Sequence, residues 1–516
     1  MAASSTPPEV TDGDACYLAM KTHDARFDGA FFTAVTSTGI YCRPVCRVKL
    51  PRRENCRFFR HAAQAEAAGF RPCLRCRPEL APRTPMGAWS TEDAARTLAL
   101  QAARLMDEPQ SWMAPDAGAP ADEGAGGTGA MQRVAQRLGV SDRHLRRIFE
   151  AQFGVSPLQY LLTRRLLAAK QLLADTSLPM AEVALASGFG SARRFHDAFQ
   201  QRYGLSPGAL RRAAPARKSD SQDAAHQGCV EVRLAWRPPY DVAAMWAFLG
   251  RRALPGAEQP SADGRSLQRT LALMHAGQRH TGWLQVRVDE ADGPAARVRL
   301  QLSESLAPAL PTLIARVRGW LDLDADPQPI HAVLGAAFPA GEGLRVPGTL
   351  DGFELAVRAV LGQQITVAAA RTLGGRLVQA LGEPIATPFS GLTRLFPTPA
   401  ALAGADPDLL GSLGIVRQRQ AAIQALARES LAGRLQLQSG ADPGPTCAAL
   451  QTLPGIGDWT AQYIAMRALR WPDAFPAGDI ALQKALGVKN AKAAAEASQA
   501  WRPWRSYAVL RAWAAA

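Results

Sequence analysis

The stretch Leu453–Asp479 reads LPGIGDWTAQYIAMRALRWPDAFPAGD and constrains the fold more than any other part of the chain. Its Pro-Gly-x-Gly turn allows positive φ at the glycines and exposes backbone N–H groups. A helix that starts directly after Gly457 adds its positive dipole end, so the turn is suited to holding a phosphate. Asp479 would then act beside that phosphate, or it would serve only as the N-cap of a core helix. The turn alone favours the N-cap alternative.

The segment Leu453–Ala461 closely resembles the helix-hairpin-helix DNA glycosylases, which share Leu-Pro-Gly-Ile-Gly-x-x-Thr-Ala and a later catalytic Asp. The resemblance implies that Asp479 is catalytic and that Gly455, Gly457 and Thr460 contact DNA. A carboxylate there can stabilise the oxocarbenium charge that builds on the sugar as the glycosidic bond breaks, or orient water. Bifunctional members carry a lysine nucleophile where this chain has Trp459. The resemblance therefore implies base release without a lyase step.

Residues 229–516 resemble the AlkA-type 3-methyladenine glycosylases over several further segments, namely Trp236–Asp241, Asp351–Glu354, Arg358–Gln364 and Trp501–Ala508. The resemblance implies a base pocket formed by Trp459, Tyr463 and Trp513, with Phe248 as a further member. Such electron-rich rings can bind a cationic alkylated purine by stacking and cation–π attraction. Each aromatic residue taken singly is more typical of core packing.

Two departures refine this resemblance. Gln364 stands where the family has a hydrophobic wedge that fills the gap left by the flipped nucleotide, which leaves its role as a wedge open. Cys447 is the only late cysteine, so no iron–sulfur cluster is expected.

Four of the eight cysteines fall in two pairs, Cys42 with Cys46 and Cys73 with Cys76. This spacing is typical of a metal site rather than of disulfides in a cytosolic chain, and four thiolates suit one Zn²⁺ ion. A purely structural zinc site is the alternative that the spacing alone favours. The surrounding segments 38–47 and 68–76 closely resemble the N-terminal domain of the Ada methylation-response proteins. That resemblance implies that Cys42 accepts a methyl group from a methyl phosphotriester in DNA, as a metal-activated thiolate.

Two helix-turn-helix patterns follow, and each closes with a similar phrase, Phe153–Pro157 and Tyr203–Pro207. This internal repeat resembles the AraC-type DNA-binding domain, in which two recognition helices enter adjacent major grooves. A purely structural helical bundle is the alternative. The candidates for DNA contacts lie at the start of the second helix of each pattern: Arg143, His144, Arg146, Ser191, Arg193 and Arg194.

Composition favours a large protein with a polyanionic partner such as nucleic acid. The 516 residues exceed what one core can organise, and the net charge of +14 favours a polyanionic partner, although a generally arginine-rich composition explains part of it. The chain contains no apolar run long enough to span a membrane, and its first residues lack the pattern of a signal peptide. We therefore expect a bacterial, nucleoid-associated protein of the cytoplasm.

These observations predict a multidomain α+β protein. The expected order is a Cys₄ zinc domain at 1–85, an AraC-type helix-turn-helix domain at 88–212 and a linker at 213–228. An AlkA-like β-rich domain at 229–310 and a helix-hairpin-helix glycosylase domain at 311–516 follow. The linker predicts halves that are tethered rather than packed together. The expected activities are excision of alkylated bases and methylation-triggered transcription regulation by a monomer that binds double-stranded DNA and RNA polymerase.

Overall fold

The computed structural model describes residues 13–23, 27–81, 94–112, 125–176, 178–213, 229–275, 277–288 and 297–515. These residues form a four-cysteine α+β unit, an all-α unit, a unit built on an antiparallel sheet and a second all-α unit. The predicted multidomain α+β class is confirmed. None of the helices in the described ranges is both long and apolar enough to cross a membrane.

The four-cysteine unit contains a four-stranded sheet in the order β3-β1-β2-β4. The elements are α1 Gly13–Thr22, β1 Phe32–Val35, β2 Ile40–Cys42, β3 Cys56–Phe59, α2 Ala62–Ala67 and β4 Arg71–Pro72. Strands β2 and β4 pair in parallel, and Cys73 N–H donates to the Tyr41 carbonyl at 2.9 Å. This pairing brings the two cysteine pairs to the same end of the sheet.

The first all-α unit contains the predicted internal repeat. Its helices are α3 Ala94–Asp107, α4 Ala125–Arg137, α5 Asp142–Phe153, α6 Pro157–Asp175, α7 Met180–Ala186, α8 Ala192–Tyr203 and α9 Pro207–Ala213. Serine side chains cap the starts of α5 and α8, where Ser141 and Ser191 accept backbone N–H groups. Glycines end both helices, Gly154 at φ 69° and Gly204 at φ 67°, in the left-handed conformation that favours this residue.

The next unit has a five-stranded antiparallel sheet in the order β5-β9-β8-β7-β6. Its strands are β5 Cys229–Leu234, β6 Glu258–Pro260, β7 Ser266–His275, β8 Gln278–Val288 and β9 Val298–Ser303. Alternate residues of β5 and β9 are buried, which is the period-two pattern of a sheet with one packed face. Three helices lie between these strands and the C-terminal unit in the chain or among the strands: α10 Val242–Arg252, which contacts β7, α11 Leu310–Trp320 and α12 Pro327–Leu334.

The C-terminal unit is helical. It comprises α13 Gly352–Leu361, α14 Val367–Leu381, α15 Pro399–Ala403, α16 Pro407–Ser412, α17 Arg417–Leu431, α18 Pro443–Gln451, α19 Asp458–Arg467, α20 Ile480–Ala485, α21 Ala491–Ala497 and α22 Arg505–Ala515. Helix α13 is almost wholly buried and packs against α17 and α19. Short 3₁₀ helices elsewhere span Arg53–Asn55, Pro78–Leu80, Pro109–Trp112, Glu304–Ala309 and Ser498–Trp501.

The expectation of halves that are only tethered is wrong for the described residues. Buried apolar residues of α6 to α9 join those of the sheet and of the C-terminal helices in one continuous core. Helix α7 contacts the 3₁₀ helix Glu304–Ala309, and α6 contacts β5. The prediction failed because the polar composition of a linker carries no information about the apolar faces on either side of it. Residues 214–228 lie outside the described ranges.

Candidate functional site

The predicted hairpin joins α18 to α19. Gly455 has φ 72°, a conformation that L-residues rarely adopt, so the turn requires glycine there. Gly457 is exposed and stands at the N-cap of α19, and a Cβ atom on it would meet open space. The start of α19 is therefore open to a ligand at Gly457, as a phosphate site requires.

Thr460 does not present its hydroxyl to DNA. Its side chain is buried at 2 % exposure, and its Oγ1 accepts from Gln363 Nε2 at 2.9 Å. The same amide donates to the Gly455 carbonyl at 2.9 Å, so Gln363 ties the hairpin to the loop that follows α13. The Thr460 side chain is thus committed to the interior, and the expected contact of Thr460 with DNA stays a prediction that only its backbone can fulfil.

Gln364 lies at the tip of this loop. It is exposed and has φ 54°, an uncommon conformation for a residue other than glycine. Arg419 Nη2 donates to the carbonyl of Gln363, the residue before Gln364, and so anchors the loop to α17. Strained backbone held by its neighbours is typical of functional positions, so the geometry favours a contact between Gln364 and a ligand.

Asp479 is both an N-cap and a pocket carboxylate. Its Oδ1 accepts from Leu482 N–H at 2.7 Å, which caps α20. The same oxygen accepts from Trp513 Nε1 at 3.1 Å, and Oδ2 accepts from Trp459 Nε1 at 3.0 Å. Three N–H donors from three helices thus hold one half-buried carboxylate in a single orientation.

The structure brings the four predicted pocket aromatics together. Asp479, Trp459, Tyr463, Trp513 and Phe248 line one cavity of about 650 Å³ between α10, α13, α19 and α22. The Trp459 and Tyr463 rings stack with centroids 5.4 Å apart and an interplanar angle of 13°. Cavities of this size and apolar lining suit a small ring system such as a nucleobase.

Two arginines that line this cavity were not predicted from the sequence. The Arg252 guanidinium lies 3.7 Å from the centroid of the Phe248 ring, and that of Arg467 lies 5.0 Å from it. Arg467 also donates to the Tyr463 hydroxyl at 2.7 Å. A sequence signal existed, because each arginine follows its aromatic partner by four positions on a helix and therefore shares its face.

Burial raises the pKa of Tyr463, but the nearby charges of Arg467 and Arg252 outweigh that effect and hold the pKa below its usual range. Two positive charges therefore lie beside the aromatic rings of the cavity, which differs from the purely electron-rich pocket expected for cationic bases.

The four predicted zinc ligands converge. The sulfur atoms of Cys42, Cys46, Cys73 and Cys76 all lie within 4.8 Å of one another. The first three residues are buried and Cys76 is partly exposed. Arg43 N–H donates to the Cys76 sulfur at 3.4 Å, the kind of contact that stabilises a metal-bound thiolate. Four sulfurs at this spacing fit a tetrahedral Zn²⁺ site, and zinc would keep the thiolates deprotonated.

A buried carboxylate connects this site to the helix-turn-helix unit. Glu66 on α2 is 1 % exposed and accepts from the Tyr41 hydroxyl at 2.9 Å, next to Cys42 on β2. It also accepts from Thr163 on α6 at 3.2 Å and from Arg202 on α8 at 3.1 Å. Cys42 is thus separated by one residue and one carboxylate from the second recognition helix.

The predicted DNA-reading residues lie at the starts of α5 and α8. Arg143, Arg193 and Arg194 are exposed, while His144 is partly exposed. Arg146 is exposed but pairs with Asp142 at 2.7 Å within its own helix. Ser191 uses its hydroxyl to cap α8, where it accepts from Arg194 N–H at 3.2 Å. The exposed arginines remain the stronger candidates.

Four family models match the chain in the order that the units appear. They are the metal binding domain of Ada (residues 15–79), a helix-turn-helix domain (134–213), the AlkA N-terminal domain (231–351) and the HhH-GPD superfamily of base excision DNA repair proteins (357–502). Together they define a base-excision DNA repair protein of the helix-hairpin-helix class that carries a zinc site and a DNA-binding regulator domain. The predicted DNA partner and a zinc site are confirmed.

Relatives define the family more closely. The chain is 38% identical over 512 residues to the probable bifunctional transcriptional activator/DNA repair enzyme AlkA of Mycobacterium tuberculosis, covering 97% of this chain and 96% of the relative. It is 35% identical to DNA-3-methyladenine glycosylase 2 of Escherichia coli K12 over 54% of this chain and 95% of that protein. The regulatory protein ada of Salmonella typhimurium is 30% identical over 39% of this chain and 49% of its own length. The chain belongs to the family of bifunctional AlkA-type transcriptional activator/DNA repair proteins.

Proposed function

We propose that this protein excises alkylated bases such as 3-methyladenine from DNA by hydrolysing the N-glycosidic bond. The observation that carries the proposal is the Asp479 carboxylate, held by two indole N–H groups and one backbone N–H at the edge of the aromatic cavity. A carboxylate fixed in this way stabilises the positive charge that develops on the sugar and costs no reorganisation as the bond breaks. The exposed hairpin N–H groups would hold the backbone phosphate, and Gln364 would fill the space that the flipped nucleotide leaves.

The lining of the cavity supports hydrolysis without a lyase step. Among the described residues that line it, none is a lysine, and Trp459 occupies the place of the lysine nucleophile. Without an amine, no Schiff base with the sugar can form there. The proposed enzyme is therefore a monofunctional glycosylase that leaves an abasic site.

We propose a second activity at the cysteines, in which Cys42 accepts a methyl group from a methyl phosphotriester. In this transfer the sulfur–carbon bond forms as the carbon–oxygen bond to phosphate breaks, and a phosphodiester anion leaves. The site then carries one negative charge fewer, which reduces its repulsion of DNA phosphates. Methylation would thereby trigger promoter binding through the two recognition helices and activation through RNA polymerase. One zinc ion, a monomeric state and domain boundaries at 1–85, 88–212, 229–310 and 311–516 complete the proposal.

Two substitutions separate the activities. Asp479→Asn should lower base release from methylated DNA at least about a thousandfold, as loss of a transition-state charge does, while binding of abasic DNA stays within a few-fold. Asp442→Asn is the matched control, because Asp442 caps α18 in the same way but lies outside the cavity. Retained base release in the Asp479 variant would refute the assignment.

Cys42→Ser should abolish methyl uptake from phosphotriester-containing DNA and leave base release unchanged. Cys56→Ser is its control, because Cys56 is a buried thiol of the same unit that lies outside the cluster of four sulfurs. Mass spectrometry of the protein after incubation with methylated DNA measures the transfer. A Cys42→Ser protein that still gains methyl groups would sink the acceptor assignment.

A further inference from the structure

The Phe248 ring lies near two guanidinium groups in the lining of the glycosylase cavity. The Arg252 guanidinium is 3.7 Å from the ring centroid, and the Arg467 guanidinium is 5.0 Å from it. Arg467 also lies 5.4 Å from the centroid of the Tyr463 ring. Two of the four pocket aromatics therefore already have a cation within cation–π range before any base enters.

The charges of these two arginines are not neutralised locally. Arg467 is 7 % exposed and gives its remaining donors to the backbone carbonyls of Pro347 at 2.8 Å and Gly348 at 3.1 Å. Arg252 donates to the Phe248 carbonyl at 3.3 Å. Across the ranges that the structure describes, neither makes a salt bridge with a carboxylate.

Arg358, which lines the same cavity, makes a useful contrast. It pairs with Glu258 at 3.0 Å and with Glu354 at 2.8 Å, so its charge is balanced. The positive charges of Arg467 and Arg252 lower the pKa of Tyr463 despite the opposing effect of burial. Asp479 lines the same cavity and keeps its negative charge, but its hydrogen bonds go to the indoles of Trp459 and Trp513 and to the Leu482 N–H rather than to either arginine.

Such a lining distinguishes bases by charge. A cationic N-methylpurine beside Phe248 would be repelled by two guanidinium groups that have no ion-pair partner among the described residues, at a range where screening by water is weak. A neutral damaged base with carbonyl oxygens or ring nitrogens would instead accept hydrogen bonds from guanidinium N–H groups and stack on the indoles.

We propose that Arg252 and Arg467 set the charge selectivity of the pocket and shift excision toward neutral, hydrogen-bond-accepting damaged bases relative to cationic methylpurines. This inference rests on the proposed glycosylase function. It adds to that function a bias between neutral and cationic bases, which these two arginines would impose on the range of bases that the pocket accepts.

The test compares single-turnover release from two duplexes, one with hypoxanthine as the neutral base and one with 7-methylguanine as the cationic base. Arg252→Met removes the charge but keeps an unbranched side chain over Phe248, and Arg252→Gln is a second neutral variant should methionine impair folding. We expect each to raise the ratio of cationic to neutral base release about tenfold, because one charge at this range changes the equilibrium between a charged and a neutral form by about that factor. Arg252→Lys keeps the charge and should leave the ratio within twofold.

Arg434→Met is the matched control, because it removes one exposed charge paired with Glu429, away from the cavity. An unchanged ratio in both neutral variants, an equal change in Arg252→Lys, or a wild-type protein that releases only the cationic base would overturn the inference. Those outcomes leave the glycosylase function intact. If the wild-type protein released neither base, the proposed function would fail and the selectivity inference would fall with it.

Discussion

The Asp479 pocket and the four-cysteine site organise their reactive groups in opposite ways. Asp479 is oriented by three N–H donors that belong to the protein itself. The four sulfurs lie within 4.8 Å of one another, and thiolates at that distance repel each other unless a cation holds them. The pocket is therefore complete as a folded protein, whereas the cysteine site depends on its metal. Loss of a single side chain should therefore inactivate the Asp479 pocket, whereas loss of the metal ion should inactivate the four-cysteine site.

The two sites also differ in what surrounds them. The contacts of Asp479 stay within the C-terminal helices, but Glu66 joins the strand of Cys42 to both halves of the helix-turn-helix unit. The local contacts of Asp479 suit a reaction that is not coupled to another part of the protein. The contacts of Glu66 suit a site whose modification must change the helix-turn-helix unit.

Removal of zinc should give the largest difference between the two sites. Chelation should unfold the four-cysteine unit and reduce methyl uptake more than a hundredfold, because metal binding supplies on the order of 10 kcal/mol to such small units. Base release should stay within twofold. Limited proteolysis and a base-release assay on the same chelated sample make the measurement. Parallel loss of both activities would mean that the two sites are not independent.

Substitution of Glu66 by Ala should have the next largest effect. It leaves the buried Tyr41 hydroxyl without its acceptor and removes the ion-pair partner of the partly buried Arg202, which should destabilise the N-terminal half by about 3 kcal/mol. Promoter binding should then respond less to methylation of Cys42.

Glu54→Ala is the control, because its salt bridge to Arg52 is exposed and contributes almost nothing to stability. Thermal unfolding and promoter binding before and after methylation provide the readouts, and equal behaviour of the two variants would remove Glu66 from the connection.

Lowering the pH should have the smallest effect. It should reduce the stability of the five-stranded sheet that precedes the glycosylase helices. Burial, with a further contribution from His280, lowers the pKa of His275 to about 4. The unfolded chain, with an ordinary pKa near 6.5, binds this proton more readily than the folded chain does. Stability is therefore present above pH 6.5 and is lost as the pH falls toward 4.

Between pH 7 and 5.5 this loss should amount to about 1 kcal/mol. His275→Gln keeps a polar partner for the Thr312 hydroxyl, which lies 3.1 Å from the ring, and should flatten the pH dependence. Thermal melting of both proteins across this range checks the sign. A wild-type stability that does not fall as the pH is lowered would contradict the argument.

Much of both sites was predictable from local patterns. The metal site is predictable because ligands of one ion often recur at short spacings along a chain, as they do at Cys42, Cys46, Cys73 and Cys76. The hairpin turn is equally readable, since only glycine adopts φ 72° at position 455 without strain. The two alternatives for Asp479 proved compatible, because a carboxylate has enough acceptor sites to cap a helix and bind two indoles at once.

The sequence by itself determined the class of the protein, its order of units and its main reactive residues, because these depend on motifs whose chemistry is local. Only the tertiary structure decided that Arg252 and Arg467 converge on Phe248, that Thr460 faces inward, and that Glu66 joins three elements. It also decided that the two halves share one core. Each of these facts depends on side chains far apart in sequence that meet when apolar faces are buried, and no local pattern encodes which faces will meet.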